Sequence, residues 1–364
     1  MKILVCGCFL PRQYEAKLEY LSVAANQYQN NLIQTLEKKH MVRKMSYIGF
    51  PVEVTDTEET QLIRDCKKEG YIPYIAKEKI ETVLQFRKKL RKMLQWADLV
   101  ITYNSVYPWY GIGRMAQQYG KRSVLILADY TSAIEEKGTI KKLKAVLMQQ
   151  QFSRYSKVIL LSNQTKGFLK KNQEYKIING CLEENLFNDL YVKKQNHHKI
   201  MITYTGMLRK ITGIDLLLEA FSMLDENYYL TITGQGKECD ELIRKYAFNN
   251  PRIDYRGLVP QEEYRKVIAE ADILVNPRNM NYIQNQYNFP SKVIEYLASG
   301  RRIVSTKFRG WSKYEDVVCF ADPNPESIAQ AIQKASQQDE ELVFRQNIKF
   351  AQRFSWDKQI DRFL

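Results

Sequence analysis

The sequence predicts an α/β fold of two Rossmann-like halves, and three observations carry that reading. Short apolar runs alternate with helical stretches through residues 1–180, and the same pattern restarts at Ile200. A polar stretch, YVKKQNHHK (191–199), separates the two series. At 364 residues the chain also exceeds a usual single core. The expected division is an N-terminal domain over residues 1–190, a C-terminal domain over 199–350 and a closing helix over 351–364. Two such domains, joined near residue 195, would face each other across a cleft between their strand carboxyl ends, where ligands bind in sheets of this kind.

Each element has its own signal. MKILVCGCFL reads as a first strand rather than a signal peptide, because it lacks a small-residue cleavage site and runs straight into polar sequence. Gln29–Lys39 reads as a helix, and ADLVITY, SVLILAD, KVILLSN and YKIING as further strands. In the second series IMITYTG, YLTITGQG, IDYRGLV, ADILVNP, RIVST and VVCFAD each feed a loop or helix. The stretch FPSKVIEYLASGRRIVST (Phe289–Thr306) is the most informative. It predicts a loop, a helix opening near Ser291 and ended by Gly300, and a strand containing Ile303 and Val304. The amphipathic end, FSWDKQIDRFL, supplies the closing helix.

Composition narrows the function classes. No run approaches the roughly 20 apolar residues of a membrane span. Cys6, Cys8, Cys66, Cys181, Cys239 and Cys319 show no CxxC spacing and read as buried thiols of a reducing cytoplasm. Only three histidines occur, His197 and His198 lie in the polar linker, and neither a DxD nor an HExxH motif is present, so no metal site is expected. Of the net charge of +14, residues 1–190 carry +11, from thirty Lys and Arg against nineteen Asp and Glu. FRKKLRKMLQW (86–96) and KGTIKKLKAVLMQQQF (137–152) concentrate it, with basic residues on one helix face and apolar residues on the other. Such helices suit an anionic lipid surface; an ordinary solvated helix face is the plain alternative. Nucleic acid ranks last, since no reading motif or aromatic strip accompanies the charge.

Glu295 lies in the first turns of the helix that opens near Ser291. A helix start offers free N–H groups and a positive dipole end to a phosphate, and a carboxylate one turn further in can accept from a ribose diol. The combination fits a nucleotide-diphosphate site, while a plain βαβ unit with a solvated Glu accounts for the same residues.

Four segments, in order and suitably spaced, give the chain its resemblance. They are IINGCLEENLF (177–187), YTGMLRKITGIDLLLEAF (204–221), LTITGQGKECDEL and YRGLVPQEEYRKVIAEADILVNPR. With FPSKVIEYLASG they resemble the family-4-type glycosyltransferases of GT-B fold, and specifically a branch found among capsule and exopolysaccharide transferases. The resemblance is strongest over residues 200–306 and weak before residue 95. It implies a retaining, metal-independent sugar transferase that needs no cofactor beyond its nucleotide-sugar donor.

The resemblance also implies roles. Gly206 lets the backbone approach a phosphate, and Arg209 and Lys210 neutralise the diphosphate leaving group. Gly234 and Gly236 shape a turn beside the nucleotide, and Gly257, Leu258 and Val259 present main-chain groups to the base. Ser291 and Lys292 bind phosphate, and Glu295 holds the ribose hydroxyls. Family members commonly carry an Arg after the first C-domain glycine and a Lys six positions after that glycine; Met207 and Thr212 stand there instead. Arg209, Lys210, Lys292 or Arg278 must then supply the positive charge. Tyr287 replaces the carboxylate often found eight positions before Glu295, so sugar recognition shifts to Asn285, Tyr287, Asn288 or main-chain groups. In the first half, Ala24–Ala25 replaces a glycine pair and Ala128 a histidine, which leaves Asp129 to orient the acceptor or to cap a helix.

The implied acceptor is lipid-linked or a polysaccharide, met at the cytoplasmic membrane face during surface-polysaccharide synthesis. Two other readings share the fold. A nucleotide-sugar 2-epimerase would want acidic and histidine groups that this chain lacks. A catalytically silent homologue that stabilises a partner transferase fits the loss of the usual Arg, Lys and first Glu.

Overall fold

The opening run KILVCG becomes an interior strand of a seven-stranded parallel sheet. The computed structural model describes residues 1–14, 23–48, 56–75, 80–106, 108–128, 138–182 and 199–364. It divides into a first unit of Met1–Cys181 with Trp356–Leu364 and a second of Leu182–Ser355.

In the first unit, strand β1 (Lys2–Gly7) lies between β2 (Met41–Ile48) and β4 (Leu99–Tyr103), parallel to both. The sheet runs β3-β2-β1-β4-β5-β6-β7, with β3 at Tyr71–Ile75, β5 at Arg122–Leu127, β6 at Lys157–Leu160 and β7 at Tyr175–Ile177. Its helices are α1 (Val23–Glu37), α2 (Asp56–Lys68), α3 (Ile80–Trp96), α4 (Ile112–Gln118) and α5 (Thr139–Phe152). Successive β1 side chains serve opposite faces. Ile3 and Val5 pack with Leu32 and Leu36 of α1, and Leu4 and Cys6 with Phe86 and Leu90 of α3, Ile112 of α4 and Phe152 of α5. Covering on both faces is why these strands read as unbroken apolar runs. Strands β2 and β3 lack that signature, because β2 carries Arg43 and Lys44 and the edge strand β3 carries Pro73, a residue tolerated at sheet edges.

All six strands expected in the second half form: β8 (Ile200–Met207), β9 (Tyr228–Gln235), β10 (Ile253–Gly257), β11 (Ile273–Asn276), β12 (Arg302–Thr306) and β13 (Cys319–Ala321). They order as β10-β9-β8-β11-β12-β13, the doubly wound arrangement, with its switch point between β8 and β11. Helices α6 (Ile214–Phe221), α7 (Lys237–Asn249), α8 (Gln261–Glu270), α9 (Ile283–Tyr287), α10 (Ser291–Ala298), α11 (Pro325–Ser336) and α12 (Glu340–Ala351) connect them. Ile202 and Val275 pack with Leu217 of α6 and Ile332 of α11, whereas Leu274 and Ile303 pack with Val293 and Leu297 of α10.

The end of the chain departs from the single closing helix expected over 351–364. Ser355 is extended and breaks the chain after α12, and only Trp356–Gln359 (α13) is α-helical, followed by a 3-10 turn at Ile360–Arg362. Trp356 drives the return to the first unit, its ring 5.0 Å from Tyr28 and 5.8 Å from Phe363. All six cysteines are free thiols, four buried and two half-buried. Desolvation pushes Cys8 and Cys239 up to about 11 and Cys66 to about 12, which keeps them protonated. Among the described residues no helix is long and apolar enough to cross a membrane.

Candidate functional site

The carboxyl ends of β8 and β11 mark the switch point of the second sheet, and Gly206, Lys292 and Glu295 lie by the end of β8. Strand β8 ends in Gly206–Met207, in register with Gly234–Gln235 of β9. Gly206 and Gly234 both have positive φ, +133° and +146°. A side chain on Gly234 would overlap the carbonyl oxygen of Gly206, so the two strand ends touch backbone to backbone. Helix α10 follows α9 after three intervening residues, with Pro290 as N-cap and no side chain capping it. Ser291 is exposed at its first position.

Helix periodicity puts Lys292 and Glu295 side by side, and tertiary packing adds three more groups. The Lys292 Nζ lies 3.4 Å from Glu295 Oε2 and donates to Thr205 Oγ1 of β8 at 3.0 Å. Its Cε stands 3.3 Å from where a Cβ on Gly206 would be. Tyr264 of α8 donates its hydroxyl to Glu295 Oε1 at 2.6 Å, and the Lys292 ammonium lies 5.2 Å from the centre of its ring. The Tyr296 hydroxyl meets Thr205 Oγ1 at 3.0 Å and so ties α10 to β8. Burial by itself pulls the Lys292 ammonium down, but Glu295 and the Tyr264 hydroxyl outweigh it and hold the group above its ordinary value. Burial, then the Glu295 charge, pushes the Tyr264 phenol well up, so it remains a protonated donor. The Lys292 and Glu295 side chains are 32% and 26% exposed, which leaves both reachable. This is a fixed cation and a fixed carboxylate at an uncapped helix start, beside a close-approach backbone.

The other predicted residues distribute around this centre. Arg278 donates to the Asn288 carbonyl at 3.2 Å, and the buried Oδ1 of Asn288 has no protein partner. A ligand hydroxyl reaching that atom would satisfy it. Tyr287, the last residue of α9, is half-buried. Gly257, with φ +65°, ends β10, and its carbonyl accepts from Thr233 Oγ1 at 2.7 Å; Leu258 beside it is exposed and Val259 half-buried. Arg209 and Lys210 are exposed on the turn after β8, and Arg209 is ion-paired with Glu238 at 3.2 Å rather than with the Lys292 cluster. Asp129 lies outside the described residues.

Asn285 and Thr212 both serve local structure. Asn285, a candidate for sugar recognition, is buried and donates to the carbonyls of Ile211 and Asn279, both at 2.7 Å. It clasps the loop before α10 to the turn after β8. Asn285→Ala is expected to lower stability by about 1–2 kcal/mol through these unpaired carbonyls, read as a fall in the urea midpoint. Thr212 sets its hydroxyl 2.8 Å from the Met207 carbonyl and 2.6 Å from that of Arg209, so it closes the turn in place of offering a cation. Thr205, Tyr264 and Tyr296 were not singled out from sequence. Tyr264 is 31 positions from Glu295, and no local spacing announces such a contact.

Residues 199–338 match the family model described as Glycosyl transferases group 1. A curated relative, an uncharacterized glycosyltransferase of Methanocaldococcus jannaschii, is 24% identical over 237 residues, and the match spans 58% of each chain. Sucrose-phosphate synthase from Thermosynechococcus elongatus superposes with a TM-score of 0.72 at 16% identity, covering 100% of this chain and 97% of that one. A glycosyltransferase from Rickettsia africae gives 0.71 at 15%, covering 99% and 96%. Anabaena HepE, solved in complex with UDP, gives 0.72 at 15%, covering 100% and 99%. The fold is two parallel-sheet α/β domains with GT-B glycosyltransferases as its structural neighbours.

Proposed function

We propose that this chain is a retaining glycosyltransferase that takes a sugar from a nucleotide-diphosphate donor bound in the second unit, without a metal ion. The observation that carries the reading is Glu295, held by Tyr264 and Lys292 beside the carboxyl end of β8. One carboxylate oxygen is fixed by the phenol, and the remaining lone pairs suit a ribose diol. The Lys292 ammonium, with the α10 N-terminus, faces the diphosphate, and Arg209, Lys210 and Arg278 add positive charge as the leaving group develops.

Transfer on one face of the sugar needs no separate base. The acceptor oxygen bonds to the anomeric carbon as the bond to the β-phosphate oxygen breaks, and that phosphate oxygen takes the acceptor's proton. Asn288, Tyr287 and nearby main chain position the sugar. The acceptor we favour is lipid-linked or a growing polysaccharide at the inner face of the cell membrane, in the synthesis of a surface polysaccharide.

Because Anabaena HepE was solved with UDP and with UDP-glucose, UDP is the nucleotide expected to bind this chain best. Purified protein melted in EDTA with UDP, GDP or dTDP tests this. At 100 times its dissociation constant a ligand adds about 2.7 kcal/mol of stability, a rise of several degrees. No rise with any of the three would favour the silent-partner reading, to which Thr212 contributes, since its hydroxyl is spent on the turn where a family lysine would stand.

A further inference from the structure

We propose that the outer surface of α3 and α5 in the first unit docks on an anionic lipid bilayer, with Leu143, Val146 and Leu147 entering the headgroup boundary. This rests on the membrane-presented acceptor proposed above and adds the surface that would meet the lipid.

The sequence pattern for 137–152 sets basic residues on one face and apolar residues on the other. Only part of the apolar set packs: Ala145 and Phe152 are buried, while Leu143 is 59%, Val146 40% and Leu147 50% exposed. Spacing of three and four residues sets these three on one stripe of the helix. Helices α3, α4 and α5 share one apolar cluster against the same sheet face, so the stripe lies on the outside of that layer. On α3, Phe86, Leu90 and Leu94 face the sheet, while Leu84, Arg87, Lys88, Arg91 and Lys92 are exposed. Lys142 is exposed beside the stripe on α5. Neither 84–96 nor 139–152 contains an acidic residue.

An apolar stripe on α5, in the same helix layer as the exposed cations of α3, selects among occupants. A second copy of this chain would bring the same positive charge to the contact and repel. An anionic bilayer accepts both parts, alkyl groups at the acyl boundary and ammonium or guanidinium groups at the phosphates, with long basic side chains reaching upward. Three neighbouring exposed aliphatic side chains differ from the scattered ones that need no explanation.

The test is co-sedimentation of the full chain with phosphatidylcholine vesicles, with and without phosphatidylglycerol as one lipid in three. Binding is expected to the anionic vesicles only, and to weaken as salt rises. Leu143→Ser with Val146→Ser and Leu147→Ser should lower the partition coefficient about tenfold or more at every salt concentration. Lys88→Glu with Arg91→Glu should remove the salt-sensitive part. Melting temperature and its UDP-induced rise should be unchanged in both variants, because these side chains are exposed and lie in the first unit. Absence of wild-type binding at low ionic strength would overturn the proposal, as would equal binding by the triple-serine variant. A wild-type dimer that the triple substitution makes monomeric would assign the face to a second copy. Intact vesicle binding without any UDP response would instead remove the donor-site reading and leave this surface standing.

Discussion

Glu295→Ala is expected to abolish the UDP-induced rise in melting temperature and to lower kcat/KM by a factor of about 100 or more. Hydrogen bonds to a charged acceptor contribute about 1.5–3 kcal/mol, and a ribose diol can make two of them; 1.4 kcal/mol is tenfold in affinity. The substitution also has a cost in the empty protein, because Tyr264 donates to Glu295 at 2.6 Å and Lys292 lies 3.4 Å from it. Leaving that phenol without its acceptor should lower stability by about 1–3 kcal/mol. Glu295→Gln separates the two effects. Its amide oxygen can still accept from Tyr264, so stability should largely return, whereas the lost charge should keep nucleotide binding weak. Melting curves with and without UDP for the wild type and both variants are sufficient. Wild-type UDP affinity in the alanine variant would mean the nucleotide sits elsewhere.

Gly234→Ala should destabilise the second unit by about 3–5 kcal/mol, from backbone strain together with overpacking. At φ +146° an L side chain is strained, and the new Cβ would overlap the Gly206 carbonyl. The overlapping atom is backbone of the neighbouring strand, so no rotamer change relieves it. Urea unfolding followed by tryptophan fluorescence reads this by unit, since Trp311 reports the second unit and Trp96, Trp109 and Trp356 the first. The second transition should fall by about 1 M or more while the first holds. Gly257→Ala is the control. Its φ is +65° but nothing lies within 4 Å of the new Cβ, so only the left-handed penalty of about 1–2 kcal/mol applies. Equal midpoints for the two variants would contradict the close strand contact.

The legibility of the site followed the range of each interaction. Lys292 and Glu295 were readable together because three residues along a helix bring two side chains onto one face, whatever surrounds them. Tyr264, Thr205 and Tyr296 complete the same cluster yet carried no signal. Their contacts join α8, β8 and α10, and no periodicity relates positions 31 to 91 residues apart. Asn285 read as a polar residue near a ligand loop and proved to be a buried clasp, because an Asn looks the same in sequence whether its amide faces solvent or backbone carbonyls. The pattern of 137–152 separated apolar from basic residues, but periodicity reports which residues share a stripe and not whether sheet or solvent meets it, so only packing decided that Leu143, Val146 and Leu147 are exposed.

The sequence by itself determined two parallel α/β halves, with the six strands of the second sheet and β1, β4, β5, β6 and β7 of the first. Parallel strands covered on both faces must be apolar throughout, and glycine must stand where φ is positive and room is lacking. It determined α10 from its start and stop signals and set Glu295 in the first turns of that helix. Only the tertiary structure decided what holds Glu295 and Lys292 and which way the α5 stripe faces. It also sent Trp356 back to the first unit. Each of those outcomes depends on which distant surfaces meet, and that is set by packing of the whole chain rather than by any short window of it.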